Sequence, residues 1–135
     1  MGFVACEKSI EELPATAFGN SAILKVGESI NYINPTSNHL RLSVIDILNN
    51  FCPKGLNCLL AGYAEVKLSI TSQNNQNVAF SLFFGDYHDH PKKLGFKPDT
   101  LDFNLNKKAY RAILKNIKTE ENNKELKAEV LLFEK

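Results

Sequence analysis

Apolar and polar residues alternate along most of this chain, and this period of two limits its fold more than any other feature of the sequence. Because successive side chains of a β-strand point to opposite faces, the alternation predicts half-buried strands. The strictest run places an apolar residue at every second position: Ala64, Val66, Leu68 and Ile70. Shorter apolar runs predict further strands at residues 21–26, 29–33, 40–44, 78–84, 101–105 and 126–132.

Two segments depart from simple alternation. After Val44 the apolar period moves by one residue, to Ile45 and Ile47, which predicts a β-bulge or burial on both faces. Residues 109–117 fit both the i, i+3, i+4, i+7 stripe of a helix and the alternation of a strand. We favour the strand, because a strand directly before the last one would pair with it as a hairpin.

Turn-forming residues separate these segments, with dense clusters at 34–38 and 73–77. A chain of 135 residues is long enough to bury a core as one domain. The pattern therefore predicts an all-β fold: a single antiparallel β-sandwich of about seven or eight strands at residues 21–135. Residues 1–20 show little period, and we interpret them as an N-terminal tether or lead-in.

The charge distribution argues against nucleic acid as a partner. The formal net charge is +1, and the lysines are scattered rather than gathered in a stripe. No apolar run approaches the ~20 residues that span a bilayer, so membrane contact is expected only through an N-terminal lipid anchor. The residue that would carry the lipid is Cys6, because Phe3-Val4-Ala5-Cys6 resembles the cleavage site of a bacterial lipoprotein precursor. The alternative is an ordinary cysteine in the lead-in.

The other two cysteines lie close together in a turn-rich stretch of residues 51–62. Cys52 and Cys58 are separated by five residues that include Pro53 and Gly55. A local pair with one distant cysteine is typical of an oxidising compartment, whereas in a cytosolic protein all three would be thiols. The spacing is not that of a Cys-x-x-Cys redox motif.

This central stretch resembles a family of small bacterial envelope lipoproteins of unassigned function. Their signature is Asp-Ser-Arg-Cys-Pro-x-Gly-x-x-Cys-x-Trp-Ala-Gly-x-Ala, preceded by a Gly-Glu-Ser or Gly-Gln-Ser turn. The matching segments here are residues 27–29, 52–58 and 61–64, with similar closing segments at 110–114 and 126–135. Two positions depart from the signature: Asn49-Asn50-Phe51 replaces Asp-Ser-Arg, and Leu60 replaces Trp.

The resemblance implies a β-sandwich, a disulfide between Cys52 and Cys58, and export to the periplasm or outer cell envelope with a lipid anchor. It implies no reaction. Because the Arg and the Trp of the signature are missing here, a contact that the family makes through them would be lost or replaced in this chain.

Two other motifs suggest binding sites. His88 and His90 would point the same way on an extended segment and could share a metal ion, with Asp86 or Asp89 as an oxygen ligand. The alternative is a solvated polar loop. The Asn34-Pro35-Thr36 sequence resembles a loop of chagasin-like cysteine-protease inhibitors, although the two further loops of those inhibitors are not evident. A plain Asn-Pro turn is the alternative.

No catalytic or phosphate-binding motif is present in the sequence, so we expect no enzyme activity and no cofactor. The predicted function is binding or structural support in the cell envelope, with an unknown protein or small ligand as partner. Four aromatic residues fall off the apolar period or in predicted loops: Tyr63, Phe83, Tyr87 and Phe96. Their convergence in one groove would favour ligand binding.

The proposed disulfide can be tested by counting thiols. On denatured, unreduced protein prepared without the lipid anchor we expect one titratable thiol per chain, from Cys6, because Cys52 and Cys58 would be joined. Reduction should raise the count to three, the number of cysteines in the sequence. Loss of the bond should cost about 2 kcal/mol of stability, the cost of closing so short a loop in the unfolded chain. Three thiols before reduction would contradict the pairing.

Overall fold

The structure, a computed structural model, describes residues 14–34, 39–51, 62–86, 98–120 and 123–135. Within these ranges the chain forms nine strands and no helix, so the predicted all-β fold is confirmed. The strands are β1 (Ala15–Ala17), β2 (Ser21–Lys25), β3 (Ser29–Ile33), β4 (His39–Phe51), β5 (Gly62–Ser72), β6 (Asn77–Asp86), β7 (Asp99–Leu105), β8 (Lys108–Glu120) and β9 (Asn123–Glu134).

The strands build two sheets that pack as a sandwich. Sheet A has five strands in the order β1-β3-β4-β5-β6, and sheet B has four in the order β2-β9-β8-β7. All neighbours are antiparallel except β1 and β3, which are parallel. The three-residue β1 lies within the predicted lead-in and raises the strand number above the seven or eight expected.

The two ambiguous segments of the sequence are both resolved. Residues 108–120 form strand β8, which pairs with β9, so the strand interpretation is correct and the helical one is wrong. The β4–β5 register shifts between Val44 and Asp46, which confirms the bulge. The extra residue, Ile45, has no partner on β5, and 55% of its surface is exposed.

The chain passes between the sheets at the turn after β2. Gly27 adopts a φ of 90°, a left-handed conformation that favours glycine. Its N–H donates to the carbonyl of Val44 at 2.8 Å, and the Val44 N–H donates to the carbonyl of Glu28 at 3.1 Å. The turn is therefore held against β4, and it sends β3 into the opposite sheet from β2.

The core lies between the inner faces of the sheets and follows the alternation of the sequence. Aliphatic side chains that are almost fully buried come from both sheets: Leu40, Leu42, Val44, Val66, Leu68, Ile70, Leu82, Leu114, Val130 and Leu132. Each stabilises the fold by roughly 1.5–3 kcal/mol relative to an exposed position. The outward positions between them are free to carry polar side chains.

A row of aromatic rings crosses this core from one sheet to the other. Phe18, from the β1–β2 turn, lies 5.7 Å from the ring of Tyr32 in sheet A and 5.9 Å from that of Tyr110 in sheet B. Tyr110 stacks on Phe103 at 5.5 Å, and Phe103 contacts Phe80 of sheet A at 5.6 Å. Such pairs contribute about 0.5–1.5 kcal/mol each beyond the area they bury.

Tyr32 also joins the sheets through its hydroxyl. The ring is fully buried, and the hydroxyl donates to the carbonyl of Asn20 at 2.7 Å, beside the carbonyl of Val130 at 3.4 Å. A strand of sheet A is thus tied to the start of β2 and to β9 in sheet B. Burial raises the pKa of the Tyr32 phenol to about 12.

On the other side of the sandwich a buried carboxylate connects the two sheets. Asp99, at the start of β7, is 2% exposed and accepts a hydrogen bond at 2.9 Å from the backbone N–H of Phe83 in β6. Because β6 is the last strand of sheet A, this N–H points away from β5 and would otherwise lack a strand partner. Asp99 supplies the acceptor from the neighbouring sheet.

Replacing Tyr32 with Phe should lower the free energy of unfolding near neutral pH by about 1–2 kcal/mol, because the carbonyl of Asn20 loses a buried donor. In wild type the folded pKa of about 12 lies above the ordinary value of 10.0. The Tyr32 contribution is therefore complete below about pH 10 and is lost as pH rises through about 12.

The stability difference between wild type and Tyr32→Phe should consequently shrink across that alkaline window. Urea unfolding followed by far-UV circular dichroism at several pH values would measure it. Comparison of the two proteins cancels every other group that titrates in this range. A difference that stays constant with pH would contradict the assignment.

Candidate functional site

The outer face of sheet A carries short polar side chains in register across several strands. One row runs through Asn31 of β3, Arg41 of β4, Thr71 of β5 and Asn77 of β6. The row beside it consists of Ser29, Ser43, Ser69 and Ala79. These positions face outward because their neighbours along each strand, such as Leu42 and Ile70, are buried in the core.

Hydrogen bonds between the side chains fix much of this face. The hydroxyls of Ser29 and Ser43 lie 2.7 Å apart. The amide of Asn77 donates to the hydroxyls of Ser69 and Thr71 at 2.7 and 2.8 Å. These hydrogen bonds hold four hydroxyls and one amide in defined positions on the sheet: those of Ser29, Ser43, Ser69, Thr71 and Asn77.

A polar hollow of about 420 Å³ opens at the end of this face, where β4 begins and β5 ends. Its described lining is formed by two basic residues and by amide and hydroxyl side chains: Asn31, His39, Arg41, Thr71, Ser72, Gln73 and Asn75. Among the described residues that line the hollow, there is no aspartate or glutamate.

The turn between β5 and β6 forms one wall of the hollow and is well braced. The Ser72 hydroxyl donates to the side chain of Asn74 and accepts from the Gln76 N–H at 3.2 Å. The Ser72 N–H donates to the Gln76 carbonyl at 2.8 Å, and Asn75 adopts a φ of 67°. An asparagine tolerates this left-handed conformation better than most residues.

The two arginines of the protein, Arg41 and Arg111, differ in how their charge is neutralised. Each occupies an outward position on its own sheet. Arg111 binds both carboxylate oxygens of Asp102, at 2.6 and 3.1 Å, and its guanidinium lies 5.8 Å from the centre of the Phe133 ring. The Arg111 hydrogen bond, with a further one from Lys135, holds the pKa of Asp102 well below its usual range.

Arg41 has no such partner among the described residues. Its side chain is exposed, and no carboxylate of the described ranges lies within 4.0 Å of it. The carboxylate of Glu134, on sheet B, accepts two hydrogen bonds of 3.0 Å from the amide of Asn34 and lies 3.9 Å from the ammonium of Lys108. As far as the described residues go, the hollow therefore carries a positive charge that no carboxylate neutralises.

The predicted cysteine and histidine sites lie outside the described residues. This applies to Cys6, Cys52, Cys58, His88 and His90, and to the side chain of Asp86. The strand ends that lead to them are described: Phe51 pairs with Gly62, and Gly62 pairs with Asp86. These three described strand ends are therefore neighbours in sheet A, roughly 30 Å along β4 from Arg41.

Two of the four aromatic residues singled out in the sequence meet near these strand ends. The rings of Tyr63 and Phe83 lie 6.2 Å apart at 52° on the outer face of sheet A. Beside them, a Cβ on Gly85 would lie 2.5 Å from the Gly62 carbonyl oxygen and 2.6 Å from Tyr63 Cα, so only glycine fits. Tyr87 and Phe96 lie outside the described residues.

The protease-inhibitor motif is described only at its first residue. Asn34 uses its side-chain amide to bind Glu134 of β9, while Pro35 and Thr36 lie outside the described ranges. In the ranges that are described, no group of three or more histidine, cysteine, aspartate or glutamate side chains could hold a metal ion. Those ranges also contain no helix long and apolar enough to cross a membrane.

In the sequence, His39 and Arg41 alternate with Leu40 and Leu42 on the polar side of a predicted strand, and no motif marks them as a site. The outward positions 39, 41 and 43 include two basic residues and no acidic one, and this was the feature of the sequence that could have indicated a binding site. The hollow itself depends on which residues of β3 and β5 lie beside them, which only the strand register gives. No protein-family model, curated protein or solved structure matches the chain.

Removing the charge of Arg41 should leave the fold intact. Because Arg41 is exposed and has no carboxylate partner among the described residues, Arg41→Gln should change the free energy of unfolding by no more than about 0.5 kcal/mol. Urea denaturation of wild type and variant in parallel measures the difference. A loss above about 1 kcal/mol would show that Arg41 supports the fold rather than a ligand.

Proposed function

We propose that the protein is a non-catalytic binding module of the cell envelope that takes a small polar ligand on the outer face of sheet A. The observation that carries the proposal is the hollow of about 420 Å³ beside Arg41. Small-molecule sites commonly measure about 300–1,000 Å³, and most are lined mainly by apolar side chains with a few well-placed polar groups that orient the ligand, whereas the described lining residues here are all polar. The hollow matches this size range and offers amide, hydroxyl, imidazole and guanidinium groups.

The way in which the site is built supports a binding role. Asn31, Arg41 and Thr71 project from adjacent strands in direct register, so their spacing is set by the backbone ladder. Sites on strands hold their side chains more precisely than sites on loops. A ligand at this face would therefore meet a preorganised set of donors and acceptors and would lose less affinity to ordering.

Placement in the cell envelope rests on the resemblance of residues 52–64 to the lipoprotein signature and on Cys6 as the residue to be lipidated. Export would also supply the oxidising setting that a Cys52–Cys58 disulfide needs. Absence of catalysis rests on the lack of any catalytic motif in the sequence. Both parts of the proposal can fail without affecting the binding site.

A second candidate is binding through the loops at the other end of sheet A, by a protein-binding or inhibitor-like module. The observation that favours it is that the described strand ends bordering segments 52–61 and 87–97, at Phe51, Gly62 and Asp86, are neighbours next to the Tyr63–Phe83 pair. Metal binding by His88 and His90 would occur in the second of these segments. The two candidate sites lie far enough apart for residue-resolved binding data to separate them.

The test is a ligand screen read by amide chemical shifts. Isotope-labelled protein would be titrated with panels of mono- and oligosaccharides, organic acids, short peptides and Zn²⁺. We expect at least one small polar ligand to give saturable shifts centred on residues 31, 39–41 and 71–75, with no turnover of the ligand during the measurement.

Arg111→Gln is the matched control, because it removes an outward arginine from the other sheet and should bind like wild type. Shifts confined to residues around 49–51, 62–65 and 83–86 would instead support the loop candidate. Absence of saturable shifts at the hollow with every panel would contradict the proposal.

A further inference from the structure

We propose that the hollow selects ligands that carry an oxyanion, a carboxylate or a phosphate, together with hydroxyl groups, and that Arg41 is the residue that recognises the charge. This inference rests on the proposed function, because it assigns a chemical class to the ligand of the same site. Three observations lead to it: the state of Arg41, the groups in register with it, and the amide-rich rim.

The contrast between the two arginines provides the first step. An exposed arginine on a sheet commonly pairs with a carboxylate across the strands, as Arg111 does with Asp102 on β7. The side chains in register with Arg41 are instead the amide of Asn31 and the hydroxyl of Thr71. Among the described residues the guanidinium thus keeps its donors available for an anion that comes from outside the chain.

The neighbours of Arg41 suit an oxyanion. Adjacent strands lie about 4.8 Å apart, so groups of Asn31 and Thr71 can reach an anion that the guanidinium holds. A planar guanidinium binds two oxygens of a carboxylate or phosphate at once, which fixes the orientation of the ligand as well as its charge. His39 adds a further ring N–H at the rim of the same hollow.

The rim accounts for the hydroxyl part of the ligand. Gln73 and Asn75 contribute amides, each of which can donate and accept at the same time. A hydroxyl group has the same dual capacity, so these side chains complement a hydroxylated ligand better than a purely apolar one. No carboxylate of the described lining would repel an anion.

The experiment compares three probes that share one sugar scaffold: glucuronate, glucose 6-phosphate and glucose. The first two carry the carboxylate and the phosphate, and glucose lacks both. Affinities would be measured by amide chemical shifts in an amine buffer free of phosphate and carboxylate. An ionic strength of about 20 mM avoids strong screening of an exposed charge.

For wild type and Arg111→Gln we expect saturable shifts at residues 31, 39–41 and 71–75 with one or both anionic probes, and at least tenfold weaker binding of glucose. Arg41→Gln should weaken anion binding by about tenfold or more, because a charge-assisted hydrogen-bond pair is lost. A preference for glucuronate over glucose 6-phosphate identifies the oxyanion as a carboxylate, and the reverse preference identifies it as a phosphate.

Equal binding of all three sugars, or equal anion binding by wild type and Arg41→Gln, would overturn the inference and leave the proposed site in place. Binding of neither anion at these residues would also overturn it. The broader panel described for the proposed function then decides whether the hollow binds any ligand, so that the two failures remain distinct.

Discussion

The aromatic row through the core is the interaction on which the rest of this structure depends. Phe18 packs between Tyr32 of sheet A and Tyr110 of sheet B, so one residue of a short turn holds both layers together. The Tyr32 hydroxyl then fixes the start of β2 through the carbonyl of Asn20. Because β2 and β3 belong to different sheets, this contact sets how the N-terminal strands are shared between them.

Because the core supplies most of the stability, the outer faces of the two sheets can differ in how their charged side chains are paired. On sheet B, the carboxylate of Asp102 forms salt bridges with Arg111 and Lys135. On sheet A, the row through Asn31, Arg41 and Thr71 is satisfied partly by its own hydroxyls and amides, while the guanidinium finds no carboxylate in the described ranges. Polarity is therefore present on both faces, but among the described residues the arginine of sheet B is paired with a carboxylate and the arginine of sheet A is not.

The sequence predicted the strands well and the site poorly, for a physical reason. Alternation is a local property, so it identified β5, β6 and β9, and the slip after Val44 identified the bulge. β1 is too short to show a period of alternation. Its parallel pairing with β3 depends on the tertiary structure, which the local sequence pattern does not reveal. The difference between Arg41 and Arg111 is also tertiary, because a partner across a sheet depends on register rather than on sequence distance.

The buried carboxylate of Asp99 has a consequence for how molecules of this protein behave at high concentration. An outer strand whose N–H groups face solvent can recruit a strand from another molecule, which is a common start of aggregation. At Phe83 that donor is already used by Asp99 across the gap between the sheets. A foreign strand would have to displace the buried side chain of Asp99 before it could dock on β6 at that point, so the link between the two sheets also blocks strand addition there.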